Sequence, residues 1–200
     1  MLPKITVVTV VYNGILTLDA TIKSVISQTY SNLEYIVVDG GSTDGTLELL
    51  KKYNSQISII ISEKDDGLYD AMNKGIALST GEWICFMNCG DIFSSCNVLT
   101  FIFENNDWTK ADIIYGDAIQ IDGRRKKLIV AGYDLFQLNY HPIYRHNASF
   151  VRTQIHKLFF IRFEFAKRKS TMPWYFYIIH HLYKADAKFV KVNCVICSYL

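Results

Sequence analysis

Four β-branched, apolar runs, separated by segments of helical periodicity, constrain this chain more than any other feature. They are Ile5–Tyr12 (ITVVTVVY), Leu33–Asp39 (LEYIVVD), Ile57–Ile61 (ISIII) and Glu82–Met87. Runs without polar alternation are what strands buried on both faces require. Between the first two lies Ile15–Gln28, with Ile15, Leu18, Ile22, Val25 and Ile26 at helical spacing. A short helix is expected from Asp44, whose acidic start and basic end suit the helix dipole. Leu68–Leu78 reads as a third helix, Val98–Asn105 as a fourth, and Asp112–Gly116 as a further strand. This succession predicts a mainly parallel sheet covered by helices. Asp122-Gly123 then marks a hairpin turn between Asp117–Ile121 and Lys126–Gly132, which adds antiparallel strands. The expected architecture is one α/β domain with a mixed extension after about Gly116.

Two hundred residues, half of them hydrophobic, can bury one sizeable core. The net charge of +2 makes no demand for nucleic acid as a partner. Two local basic runs, Arg124–Lys127 and Lys167–Lys169, read either as solvated loops or as contacts for anionic headgroups or diphosphates. Five cysteines, with no pattern of a signal peptide at the start, suit a reducing cytosol. Cys194 and Cys197 have CxxC spacing but sit in an apolar stretch without a second pair, so core packing is expected. No uncharged apolar run reaches the roughly 18 residues of a spanning helix, and membrane contact is expected to be peripheral at most.

In open α/β sheets, ligands bind beyond the carboxyl ends of the strands. The chemically unusual residues fall there: Tyr12-Asn13-Gly14, then Asp39–Thr46 (DGGSTDGT), Ser62–Gly67 (SEKDDG) and Asn88–Asp91 (NCGD). Turn and cap chemistry accounts for each loop alone. It does not account for carboxylates arriving at three strand ends on one edge. Neither GxGxxG nor the P-loop pattern is present, and there is no GxSxG elbow. The five histidines lack metal-ligand spacing, and His180-His181 reads as a helix-surface pair.

Val7–Asn13, Val38–Thr46, Ser62–Asp91 and His146–Arg152 together resemble glycosyltransferase family 2, inverting sugar-nucleotide transferases of GT-A fold. The likeness covers roughly residues 4 to 153 and is closest to bacterial members that build cell-surface polysaccharides. It implies a Rossmann-like, mainly parallel sheet, with residues 1–116 as the nucleotide-sugar half and 117–200 as an acceptor-side extension that diverges after about 160. By the same resemblance, Tyr12 would line the nucleobase pocket and Asp39 would bind base or ribose. Asp65 falls in the family's acidic turn, Asn73 near the donor, and His146 near the acceptor. Asp91 corresponds to the last acid of a DxD-type motif that holds Mg²⁺ or Mn²⁺ against the donor diphosphate, with Asn88 where many relatives carry a second acid. The implied partners are a nucleotide-sugar donor, probed first as UDP-linked, and a glycan or polyprenyl-linked acceptor at the cytoplasmic membrane face.

The resemblance breaks at the general base that an inverting transfer needs to take the acceptor's proton. Where the family carries an Asp, this chain has Tyr175 and Tyr177 after Trp174. A tyrosine of ordinary pKa near 10 is a poor base at neutral pH. Asp134, Glu164 and His146 are the alternative sources. The rival expectation is a binding-only chain that keeps the donor pocket without turnover.

Overall fold

The computed structural model describes residues 2–104, 106–163 and 174–199, with the side chains of 159–178 outside the description. Nine strands form one sheet, in the order β3-β2-β1-β4-β8-β6-β9-β5 with β7 beside β6. Its first half is parallel: β1 (Ile5–Val11) lies between β2 (Leu33–Asp39) and β4 (Trp83–Phe86), and β3 (Ile59–Ser62) closes the edge. β8 (Ser149–Arg152) is antiparallel both to β4 and to β6 (Ile113–Asp122), so β6 runs in the same direction as β4. β7 (Arg125–Ile129) returns from β6 across a two-residue turn at Gly123, φ +58. The left-handed backbone there is what an Asp-Gly turn supplies. β9 (Phe189–Tyr199) inserts parallel to β6 and pairs on its other side with the short β5 (Ile92–Phe93).

The mixed α/β architecture matches the fold expected from the sequence. The proposed division near residue 116 falls inside the continuous strand β6. β9, from the far end of the chain, packs between β6 and β5.

β1 is buried on both faces, as its unbroken apolar run requires. One face of the sheet meets α1 (Leu18–Ile26), α2 (Thr46–Lys52) and α4 (Val98–Phe103) through Leu18, Ile22, Leu50, Leu99 and Phe103. The other meets α3 (Leu68–Leu78) and α6 (Trp174–Lys184) through Met72, Ile76, Ile179 and Leu182. α5 (Thr153–Phe163) follows β8 directly. Cys197 is buried in the first core with Cys194 packed on its rim, and all five cysteines are free. His180 and His181 sit half-buried on α6.

Two helices start later than periodicity alone predicts, and both for the same reason. α2 begins at Thr46 instead of Asp44 because Gly45 turns left-handed at φ +99, while the Asp44 carboxylate caps the Thr46 N–H at 3.0 Å. The other Asp44 oxygen takes the Ile15 N–H at 3.0 Å, which holds residues 15–17 off the start of α1.

At the amino edge of the sheet, Glu34 gathers Thr6 Oγ1 (2.6 Å), Lys4 Nζ (2.9 Å), Thr80 Oγ1 (2.5 Å) and the Thr80 N–H (2.8 Å). Burial pushes its carboxyl up, but these donors outweigh burial and hold it at about 2. An acid depressed this way stabilises the fold fully above its unfolded pKa near 4.5. That stability drains as pH falls toward 2. Urea midpoints measured between pH 5 and 2.5 are expected to show this acid limb, and Glu34→Gln is expected to flatten it. Beside this network, a Cβ on Gly81 would lie 2.5 Å from Thr6 Oγ1 and 2.8 Å from the Lys4 carbonyl. Backbone cannot yield as a side-chain tip can, so Gly81→Ala should cost about 1–3 kcal/mol in chemical denaturation.

Candidate functional site

The parallel strands deliver their loops to one edge, where side chains interlock in a continuous row. Asp39, the last residue of β2, has no exposed surface. Its Oδ2 accepts from the N–H groups of Gly41 (3.2 Å) and Ser42 (3.0 Å) and from Ser62 Oγ (2.7 Å); its Oδ1 accepts from the Ser42 hydroxyl. Four donors converging on the buried Asp39 carboxylate shape the 40–46 loop. Asp65 closes against that loop: a Cβ on Gly40 would sit 2.5 Å from Asp65 Oδ2, and Asp65 Oδ1 takes the Gly67 N–H at 2.9 Å. Only a glycine at 40 allows this approach.

The row continues through the end of β1. Asn13, at φ +50, receives Thr43 N–H on its Oδ1 (2.9 Å) and gives its own N–H to Ser42 Oγ (2.7 Å). Gly14 packs against Cys89, where a Cβ would come within 2.5 Å of the sulfur. Tyr12, by contrast, stands out of the row with two thirds of its surface open. Asn73, on α3, is half-buried, and its Oδ1 is buried without a hydrogen-bond partner.

Beyond Cys89 the Asn88–Asp91 turn is closed on itself. The Asp91 N–H donates to the Asn88 carbonyl (2.8 Å), and Asp91 Oδ2 takes the Asn88 N–H (3.1 Å). Asp91 is only 8% exposed, and Asn147 hydrogen-bonds its carboxylate. Burial pushes the Asp91 carboxyl up to about 6, against the hydrogen bonds from Asn147 and the Asn88 N–H. Asn88 Nδ2 lies 3.1 Å from His146 Nε2, and burial, helped by the Arg145 charge, pushes His146 down to about 4. The imidazole is therefore neutral at pH 7. The Oδ1 atoms of Asn88 and Asn147 are buried with no hydrogen-bond partner.

The edge thus collects Tyr12, Asp39, Asp65, Asn88, Asp91 and His146, all named from the sequence. Asp134 is exposed and spends Oδ1 on the Phe136 N–H (3.0 Å), capping the 3-10 turn Leu135–Asn139. Glu164, and the side chains of Tyr175 and Tyr177, lie outside the described residues. Three supporting residues were not singled out: Ser42 and Ser62 around Asp39, and Asn147 on Asp91. Asn147 sits in the His146–Ala148 turn leading into β8, beside a histidine that sequence reasoning did mark. Asp117, carried by β6, accepts from the Ala131 N–H (2.9 Å) and pairs with the buried Lys191 at 3.4 Å.

A family model described as "Glycosyl transferase family 2" matches residues 6–182. The chain belongs to that family. Among curated proteins it is 34% identical over 124 residues to a PGL/p-HBAD biosynthesis glycosyltransferase of Mycobacterium tuberculosis, which covers 58% of this chain and 47% of the relative. It is 32% identical over 132 residues to a cholesterol galactosyltransferase of Borreliella burgdorferi, covering 63% and 37%. The chain therefore spans half or less of the length of these relatives. Among solved structures, S. aureus TarS 1–349 in complex with UDP-GlcNAc superposes with TM-score 0.73 at 17% identity, covering 98% of this chain and 58% of that one. The mannosyltransferase PcManGT of Pyrobaculum calidifontis, solved with GDP-Man and Mn²⁺, gives 0.70 at 16% identity, covering 99% and 57%. At these identities the likeness is one of fold, the GT-A fold.

Removing the Asp91 carboxylate would leave the Asn88 N–H and the Asn147 amide without their acceptor. Asp91→Ala is expected to cost about 1–3 kcal/mol in denaturant unfolding, while Asp134→Ala, at an exposed cap, costs about 1 kcal/mol or less.

Proposed function

We propose that this chain transfers a sugar from a nucleoside diphosphate donor to a glycan or lipid-linked acceptor, with inversion at the anomeric carbon. The observation that carries this reading is the unbroken row from Asp65 through Asp39 and Asn13 to Asn88 and Asp91. It spans the carboxyl edge where α/β sheets bind nucleotides. The exposed Tyr12 ring offers a stacking face for a base. Asp39 Oδ1 holds one donor and retains lone-pair capacity for a base N–H or a ribose hydroxyl. Uracil is the base we assign, with guanine as the arm to compare. Asn73, whose amide oxygen has no protein partner, is available to a donor hydroxyl.

The residues also fit a divalent cation bound together with the donor. Among the described residues, no three acidic, histidine or cysteine side chains form a metal cage. Asp91 does stand beside two buried amide oxygens, those of Asn88 and Asn147, that have no partner. Hard cations take such oxygens, and Mg²⁺ commonly uses one or two carboxylates with phosphate oxygens and water completing the shell. Asp91 and Asn88 would hold the ion, which would neutralise charge on the departing diphosphate. Mg²⁺ and Mn²⁺ both suit this donor set.

Inversion needs a base on the acceptor side. His146 is neutral at pH 7, but its Nε2 faces Asn88, so we assign it to orienting that turn. Asp134 serves as a cap. Glu164 remains the acid outside the described residues. The engagement of Asp134 favours one second reading: a protein that binds donor without turning it over.

Calorimetric titration with UDP-GlcNAc and with GDP-mannose, each with Mn²⁺, is expected to show binding to one of them. Asp39→Ala and Tyr12→Ala should weaken it by about tenfold or more, roughly the worth of one lost charged hydrogen bond or stacking contact. Unchanged affinity in Asp39→Ala would remove the pocket assignment. Binding without transfer or donor hydrolysis across lipid-linked and free glycan acceptors would favour the binding-only reading.

A further inference from the structure

The β6–β7 hairpin reaches past the ends of the parallel strands. Through β8, Ile113 stands level with Ile84 of β4, so β6 passes the end of β4 by about six residues. β1 runs three residues further than β4 and β9 flanks β6 as far as Gln120, so at about 3.3 Å per residue the tip clears the end of β1 by roughly 10 Å, on the same edge as the Asp39–Asp91 row. The hairpin gives Ala118 and Ile129 to the core, and β7, paired only with β6, leaves its outer edge to water.

Its composition is uneven. Arg124, Arg125, Lys126 and Lys127 are consecutive and all exposed, and among the described residues none forms an ion pair within 4 Å. Immediately after them come Leu128 and Val130, more than half exposed, then Tyr133, Phe136 and Tyr140, exposed by 68%, 59% and 70%. Five of the eleven large hydrophobic side chains most exposed in the described structure fall within these 13 residues. The stretch folds back on itself: Val130, Gln137 and His141 line one groove of about 250 Å³, and Phe136 and Tyr140 meet edge to face at 5.8 Å. From Asp122 to Arg145 five basic residues face two acidic ones, and one of the two, Asp134, is held by its cap. Exposed basic side chains beside exposed aromatic and aliphatic ones match a lipid interface met by the side of the hairpin, where charge meets headgroups and rings sit at the acyl boundary.

We propose that this hairpin, with the Leu135–Asn139 turn, docks the protein on an anionic bilayer surface. A bilayer of this kind uses both the charge and the apolar groups. β6 runs in the same direction as β4, so the hairpin lies at the donor edge of the sheet and docking brings that edge close to the membrane. This deepens the functional reading by placing the acceptor in the bilayer surface, yet it stands or falls on separate measurements.

The test is co-sedimentation of the chain with phosphatidylcholine vesicles, with and without about one quarter phosphatidylglycerol, against a soluble polyanion such as heparin as competitor. Binding is expected only with phosphatidylglycerol, weakening at high salt. Lys126→Glu with Lys127→Glu should lower partitioning by about tenfold or more. Phe136→Ser with Tyr140→Ser should lower it too, with less dependence on salt. These side chains are exposed, and unchanged thermal unfolding checks that the variants fold. Equal binding to neutral vesicles, full affinity in either pair of substitutions, or tighter binding to heparin than to the anionic vesicles would overturn the proposal. Loss of nucleotide-sugar binding with vesicle binding intact would instead sink the functional reading and leave the docking surface standing.

Discussion

Everything in this molecule is arranged around a strand that cannot meet water. β1 has parallel partners on both sides and helices on both faces, so seven consecutive residues are buried. A polar group within it must be satisfied internally. Thr9 does this by donating to the Met87 carbonyl at 2.7 Å, with Tyr35 Oη 3.0 Å away, and Thr6 by donating to Glu34. The price of a dry centre is that chemistry must sit at its ends. The amino end took the Glu34 network, which is structural; the carboxyl end took the loops.

That division explains how much could be read in advance. A strand buried on both faces writes itself as an unbroken β-branched run, and β1, β2 and α3 lie within a residue of where periodicity put them. Carboxylates at the strand ends were legible because strand direction is fixed once the crossovers are right-handed and helical. Which oxygens those carboxylates would turn outward was not. Asp39 and Asp91 look alike in sequence, yet the first has four donors and the second is pushed up to about 6 by burial. The difference lies in Ser42, Ser62 and Asn147, two of them far from their carboxylate along the chain. No local pattern marks a long-range hydrogen bond.

The second half was less legible for a related reason. β5 has two residues and β8 four, too short for alternation to register. β9 was visible only as an apolar stretch, and its place between β6 and β5 depends on pairings with residues some eighty to a hundred positions away. Interleaving of this kind ties the residues after 116 into the same sheet as those before it. The two halves share cores on both faces, with Phe150 and Ile196 in the cluster of Val7, and Leu138 and Val151 in that of Val8.

The Asn88–Asp91 turn is where these constraints meet. It joins β4 to β5, so β9 fixes one of its ends and β1 the other. Asn147 reaches it from the turn before β8, and Cys89 seats it against Gly14. A turn held from four directions has little freedom to reorganise around a ligand. Its buried amide oxygens without partners are then a preformed feature, since relaxing the turn to satisfy them would break the Asn88–Asp91 bonds or the Gly14 contact. Preorganised acceptors of this kind cost stability in the free protein and return it when a cation or donor hydroxyl arrives. The same reasoning separates His146 from a base. A neutral imidazole turned toward Asn88 strengthens the turn, and in the transfer we propose the acceptor proton is left to a carboxylate with fewer obligations than Asp39, Asp117 or Asp134.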